Sequence, residues 1–394
     1  MDADSVLKNK KSAVIFYASY MPIFPVRSTT QETERDRIRF LLDSGFEHVI
    51  AQSSISNTDE APVHFSERMI MPSHKFIPAK SSMFKIIDRI YFNLFLIKSA
   101  RYLKKRKRNV ILFFYGQDLI PAGNIIKTIF KIPYICYLGD SFLGVSYSEI
   151  GQISLKVRLL RIMEWFTRKA DYFILFNNVE RMELLHKGFD ENTIKVIPFS
   201  KNEDYIFQSD DIKVIPSNLT GKFIVSYHGN MEFKHNRDGA TAIIEKIAPE
   251  VFKHSQDEII FLVIGDDFPE IKKTGNVITF PFIEDKQKLM DILSLSSLYI
   301  VPINTSTGIK GKILDAMSLG IPVIATPHTA SQLMDKDSPV IVKEISQMAD
   351  TIMDMQKMPV KELQKISELT IKYFNSNYTS KVYERYFDLF QSLV

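Results

Sequence analysis

The residues best placed to do chemistry lie between Val301 and Ala330, VPINTSTGIKGKILDAMSLGIPVIATPHTA. The segment leaves an apolar run, passes through Asn304-Thr-Ser-Thr307, and is predicted to enter a helix near Gly308. Ile309, Ile313 and Met317 are spaced for one buried face, while Gly308, Lys312 and Asp315 fall on another. Gly320 is placed to end the helix before Pro322-Val-Ile-Ala325 resumes as a strand. A helix start offers unpaired backbone N–H groups and the positive end of its dipole, which together attract phosphate. Here Gly308 admits a diphosphate close to the backbone, Lys312 neutralises it, and Asp315, one turn along, accepts hydrogen bonds from ribose hydroxyls. The bland alternative is a core helix with a glycine cap and a surface Lys–Asp pair.

Other candidates carry less. Asp140 and Ser141 follow a predicted strand, where open α/β sheets bind ligands, although a helix cap or turn explains them as well. Gly265-Asp-Asp267 offers a carboxylate pair, but a lone pair after a strand is more often a turn or cap. His228 and His235 lack a ligand-spaced third member, so neither is expected to hold metal, and a substrate contact from His228 stays open. Cys136, the single cysteine, has no disulfide partner and reads as core.

The elements that must position these groups follow an α/β rhythm. Short runs rich in Val, Ile, Phe and Tyr recur between longer polar stretches: 14–18, 48–51, 110–115, 134–138, 172–176 and 194–198. The rhythm breaks at a polar stretch, 208–221, and resumes at 223–227, 259–264, 277–280, 298–302, 322–325 and 339–342. The runs are almost continuously apolar, as expected for parallel strands covered on both faces. We expect domains at 1–207 and 222–375 joined by a linker at 208–221. The tail from Val360 reads as two helices broken near Asn375–Thr379, the second carrying Val382, Tyr386, Phe390 and Leu393 on one face.

Composition excludes a disordered or fibrous chain, with 45% hydrophobic and 24% charged residues. The N-terminus lacks the apolar stretch of a signal peptide and no run is long enough to span a bilayer, so a cytoplasmic protein is expected. Residues 1–205 hold 30 Lys and Arg against 22 Asp and Glu, an excess of +8, and the remainder carries −4. Much of the excess sits in Arg101 to Arg108, RYLKKRKR, at the end of an apolar stretch from Phe84 to Leu103. A basic helix end of this kind suits an anionic membrane surface, or is simply a solvated C-terminus facing the dipole. No nucleic-acid partner is expected, because no aromatic-and-basic interleaving accompanies the cluster.

The segment Thr307-Gly-Ile-Lys-Gly-Lys-Ile-Leu-Asp-Ala-Met-Ser-Leu-Gly-Ile-Pro-Val-Ile-Ala-Thr326 resembles the group 1 (family 4) glycosyltransferases, in the branch with a Gly-Ile-Lys-x-Lys helix. Tyr227-His-Gly-Asn-Met-Glu-Phe-Lys-His-Asn236 looks like that branch's donor-facing loop, Phe261-Leu-Val-Ile-Gly265 like its Val-Gly strand, and Phe280-Pro-Phe-Ile283 like the loop beside the nucleotide base. Asp315 stands where the second Glu of the family motif is usual, Thr307 where the first would be, and Pro198-Phe-Ser-Lys-Asn202 replaces a common Pro-Asn-Gly-Val-Asp. The resemblance implies a GT-B fold of two Rossmann-like domains facing across a cleft, with the C-terminal helix, 376–394, crossing back to the first. It further implies a nucleotide diphospho-sugar donor, a glycan or lipid-linked glycan acceptor, transfer with retention, and no cofactor or metal. On this reading Gly229, Asn230, Phe282, Gly308, Ile309, Lys310, Lys312, Asp315, Ser141 and His228 are the expected binding residues. Lys312, with Lys310, stabilises the departing diphosphate, and Asp140 is the first choice for a general base. A non-catalytic GT-B scaffold and a GT-B sugar-nucleotide epimerase remain as alternatives.

Overall fold

The computed structural model describes residues 13–19, 29–43, 46–52, 69–70, 82–106, 109–139, 169–198, 200–201, 219–266, 274–304, 311–333 and 337–394. The chain divides into two compact units, Met1–Ser200 with Ser380–Val394, and Lys201–Thr379. The stretch 208–221 read as linker lies outside the described residues except for its last three positions.

The first unit runs β1 (Ala13–Ser19), α1 (Thr29–Asp43), β2 (Glu47–Gln52), β3 (Met69–Ile70), α2 (Ser82–Arg106), β4 (Asn109–Tyr115), α3 (Ile120–Phe130), β5 (Tyr134–Gly139), β6 (Tyr172–Leu175), α4 (Asn178–His186) and β7 (Ile194–Val196). Its sheet is ordered β3-β2-β1-β4-β5-β6-β7 and every pairing is parallel. The apolar strand runs are buried almost without exception, which is why they read as continuous rather than alternating. Six of these seven strands were legible in the sequence. The seventh, β3, is a two-residue edge strand, too short to carry a period.

The second unit runs β8 (Phe223–His228), α5 (Lys234–Ala242), a π turn at Ile243–Ile247, α6 (Ala248–Ser255), β9 (Ile259–Ile264), β10 (Val277–Phe280), α7 (Lys286–Leu293), β11 (Leu298–Val301), α8 (Gly311–Ser318), β12 (Val323–Ala325), β13 (Ile341–Val342), α9 (Ile345–Gln356) and α10 (Val360–Asn377). Its strands are ordered β10-β9-β8-β11-β12-β13, again all parallel. Counted from β8 this is 3-2-1-4-5-6, the Rossmann order, with its reversal between β8 and β11. Gly320, expected to end the helix after the cationic segment, does so at φ +69°, where its missing Cβ avoids the backbone clash other residues would meet.

The chain then returns to the first unit through a 3₁₀ turn, Ser380–Glu384, and α11 (Arg385–Ser392). Val382, Tyr386 and Phe390, expected on one face, are buried. Phe390 meets Phe113 of β4 and Phe46 edge-on, and Tyr386 lies against Phe113. Beneath them Arg37 is wholly buried, paired with Glu34 on the same helix, and its guanidinium lies 3.7 Å from the Tyr137 ring centre. Among the described residues no helix is long and apolar enough to cross a membrane.

Candidate functional site

In the second unit the strand order reverses between β8 and β11, which opens a crevice at their carboxyl ends. His228 ends β8, and Gly229-Asn230 turns the chain into α5. Asn236 of α5 is pulled onto this loop, its amide donating to the Asn230 carbonyl at 2.8 Å. From the other side of the reversal, α8 brings Lys312, whose Nζ lies 2.6 Å from Asn236 Oδ1 and 3.3 Å from the Tyr227 hydroxyl. The ammonium also sits 4.5 Å from the centre of the Tyr227 ring, an electrostatically favourable seat for a cation. A Cβ at residue 229 would fall 2.7 Å from Lys312 Nζ, so glycine there is what lets the cation lie against the loop. Gly265, after β9, is tighter still, since its Cβ would meet the Gly229 carbonyl at 2.5 Å.

One turn beyond Lys312, Asp315 is only 5% exposed. Lys201 Nζ reaches its Oδ1 at 2.9 Å, and Lys286 Nζ reaches Oδ2 at 2.7 Å. Burial alone would raise the carboxyl's pKa. The Lys201 and Lys286 charges outweigh it, with a smaller contribution from His228, and hold the group well below the usual carboxylate range.

His228 Nε2 approaches Asp315 Oδ2 at 3.5 Å. The Tyr299 phenol oxygen accepts the His228 backbone N–H at 3.2 Å and lies 2.9 Å from Nδ1, so its own hydrogen is directed to Nδ1. With Asp315 beside Nε2, the favoured neutral tautomer carries its proton on Nε2, facing the carboxylate, and leaves Nδ1 to accept from the Tyr299 hydroxyl. Burial lowers the His228 pKa to about 4, despite the opposing pull of Asp315. At neutral pH the cluster therefore gathers Lys201, Lys286 and Lys312 around an ionised Asp315 and a neutral His228.

Phe282 is 44% exposed on the loop after β10, and that loop is pinned by Asp266, whose Oδ1 accepts the Phe282 backbone N–H at 2.7 Å. Asp266 thus braces the loop after the next strand, sixteen residues on, a longer-range role than the turn or cap expected from the sequence. Asp267 lies outside the described residues, as do Asp140, Ser141, Thr307, Gly308, Ile309 and Lys310. Among the described residues no group of three His, Cys, Asp or Glu side chains could hold a metal ion. His235 stacks against Phe233 rather than joining His228.

The structure brings together His228, Gly229, Asn230, Lys312 and Asp315 from the expected set, and it adds Tyr227, Asn236, Tyr299, Lys201 and Lys286. Asn236 stood at the end of the quoted Tyr227–Asn236 segment, and only its helical phase brings it back over the loop. Lys201 and Lys286 gave no local signal. Each meets Asp315 across more than twenty residues of sequence, by tertiary packing alone.

Residues 222–357 match the family model described as glycosyl transferases group 1. No curated protein matches the chain. Solved structures do. The N-terminal domain of Candida albicans trehalose-6-phosphate phosphatase superposes with a TM-score of 0.72 at 10% identity, covering 97% of each chain. Sucrose-phosphate synthase of Thermosynechococcus elongatus gives 0.69 at 13% identity, over 97% of this chain and 99% of that one. HepE of Anabaena, solved in complex with UDP, gives 0.67 at 12% identity, over 96% and 99%. At such identities the likeness is one of fold: two parallel-sheet α/β units of GT-B type, the second of which carries the group 1 glycosyl transferase match.

Proposed function

We propose that the chain is a glycosyltransferase that moves a sugar from a nucleotide diphospho-sugar to a glycan or lipid-linked glycan. The observation that carries this is the cationic cluster at the β8–β11 reversal, of which Lys286, Lys312 and Asp315 lie inside the stretch that matches the group 1 family. Lys201, Lys286 and Lys312 gather three cationic side chains around Asp315, a concentration of positive charge of the kind that attracts a diphosphate. HepE, which shares the fold, was solved with UDP, so UDP is the first ligand and UDP-sugars the first donors to test.

In this reading Lys312 and the backbone at Gly229 receive the diphosphate, together with Gly308 and Lys310, which the family resemblance assigns to the same task. Their task is electrostatic: to stabilise the charge that builds on the phosphate oxygen as the sugar bond breaks. Phe282 stacks on the base, and Asp315 faces the ribose. The resemblance of Thr307–Thr326 to the family motif supports transfer with retention and without a metal, the donor phosphate helping to activate the acceptor hydroxyl. Asp140 is the first choice should a protein base take part. The basic tract Arg101–Arg108 would meet a lipid-linked acceptor at an anionic membrane surface.

Screening nucleotides and nucleotide sugars for thermal stabilisation tests the donor site, since a ligand at about a hundred times its Kd stabilises by about 2.7 kcal/mol. Stabilisation by UDP or another nucleoside diphosphate, but not by the nucleoside, is expected. If none stabilises, the donor reading fails. Stabilisation without sugar release to any acceptor would favour a non-catalytic scaffold. Transfer should persist in EDTA, and a loss restored by Mg²⁺ would overturn metal independence.

A further inference from the structure

α2 is apolar on two sides but buried on only one. Phe92, Leu96 and Ala100 are sealed against the sheet. On the opposite side a single stripe at helical spacing runs Ile87, Ile90, Leu94, Lys98, Arg101 and Lys105, and all six are exposed. Its first half is aliphatic, with Ile90 58% and Leu94 53% exposed, and its second half is basic. Asp88, the one acid between Ser82 and Arg106, is buried.

The neighbouring helix extends this face. Asn93 of α2 donates to the Asp118 carbonyl at 3.0 Å and accepts the Ala122 N–H at 3.1 Å, which fixes the start of α3 beside the middle of α2. Each helix leads into one of two adjacent parallel strands, β4 and β5, so the helices run the same way. Ile125 and Ile129, the latter 64% exposed, therefore follow alongside the half of α2 where the stripe turns basic. No acid occurs within α3. Tyr102 is exposed too, with the Arg106 guanidinium 4.7 Å from its ring centre.

We infer that the outer face of α2 and α3 is a lipid-bilayer docking surface, on which the aliphatic residues enter an anionic leaflet and the Lys and Arg residues hold its phosphates. Aliphatic side chains flanked by cations and an aromatic, with the neighbouring acids Asp118 and Asp171 already ion-paired to Arg89 and Lys127, match the interfacial zone of a bilayer. A second copy of the chain would bury the same basic row with nothing to neutralise it. This deepens the proposal of an anionic membrane surface and rests on it for the partner's charge. It adds an apolar anchor to what the basic tract alone would do. Vesicle binding is read without donor or acceptor, so its outcome and that of the donor-site reading are separable.

The test is flotation of the full chain with vesicles of phosphatidylglycerol and phosphatidylcholine, against phosphatidylcholine alone. Binding to the anionic vesicles should fall at least tenfold in an Ile90→Ser, Leu94→Ser, Ile129→Ser variant. It should fall about a hundredfold in Lys98→Gln, Arg101→Gln, Lys105→Gln, as each cation near such a surface is worth about fivefold. High salt should weaken the wild type without reducing it to the level of the serine variant in high salt. Leu94→Trp in a Trp165→Phe background, which makes residue 94 the single tryptophan, should shift its emission to the blue on anionic vesicles and be quenched by brominated lipid. The inference is overturned if the wild type ignores anionic vesicles, if the serine variant binds like the wild type, or if the tryptophan stays in water. A concentration-dependent dimer abolished by the serine changes would overturn it in favour of a protein interface.

Discussion

Lys312 Nζ lies 2.6 Å from Asn236 Oδ1, so a cation from α8 is held by an amide from α5 across the strand-order reversal of the second sheet. An ammonium seated on a neutral amide and an aromatic face keeps its charge unneutralised by them. Lys312→Ala should therefore weaken a nucleoside diphosphate by about 2 kcal/mol, roughly thirtyfold, while leaving the parent nucleoside within a factor of two. Isothermal titration with both ligands decides it. Equal losses would remove Lys312 from a phosphate role.

Gly229 offers a test of the same contact from the opposite side. The Cβ introduced by Gly229→Ala would meet the far end of the Lys312 side chain at 2.7 Å and the Asn236 amide carbon at 3.0 Å. A flexible side chain can swing away, so melting should change little, but the ammonium loses its seat. Diphosphate affinity is expected to fall about tenfold, measured by the same titration. An unchanged affinity would mean that the position of Lys312 against the loop is immaterial to binding.

Asp315 answers differently to substitution than the sequence alone would indicate. Its carboxylate is already engaged by Lys201 and Lys286, so Asp315→Asn leaves two largely buried ammonium groups facing a neutral amide. Removing one member of a buried charge cluster costs about 3 kcal/mol, and the second unit should lose stability by that order in urea. Lys201→Met in the same chain should recover part of it. If Asp315→Asn melts like the wild type, the ion pairs contribute nothing to the fold.

Twelve of the thirteen described strands could be read from the sequence, because a parallel strand covered on both faces is a short unbroken apolar run and needs no partner to be recognised. The site was legible where it is local. Gly229 and Asn230 end a strand, and Lys312 and Asp315 lie one turn apart on α8. What stayed hidden was the company each residue keeps. Asp315 read as a carboxylate for ribose hydroxyls or as half of a surface pair with Lys312, since nothing near it in the chain announces Lys201, at the boundary between the units, or Lys286, at the start of α7. The neutral state of His228 was equally invisible, because it follows from burial, which only the packed fold reveals. The exposed aliphatic side of α2 escaped for a different reason. An apolar stretch does not reveal which of its sides is covered until α3 and the sheet are in place.

His228 sets the pH dependence of this cluster. Burial lowers its pKa from the ordinary 6.5 to about 4, so the folded protein takes up a proton there less readily than the unfolded chain. The sign follows from linkage: a histidine with a depressed folded pKa contributes its full stability above 6.5 and loses it as pH falls from 6.5 towards 4. Asp315, held well below its usual range, stays ionised throughout that window and does not mask the effect. Between pH 7 and pH 4.5 the second unit should lose about 2 kcal/mol through His228 alone. His228→Gln cannot titrate, so its stability should fall by that much less over the same interval, the other titrating groups being common to both proteins. Urea unfolding at the two pH values, followed by hydrogen exchange of peptides from β8 and β11, measures the difference in the right unit. Parallel losses in the two proteins would show that His228 titrates near its ordinary value, and the neutral tautomer facing Asp315 would have to be given up.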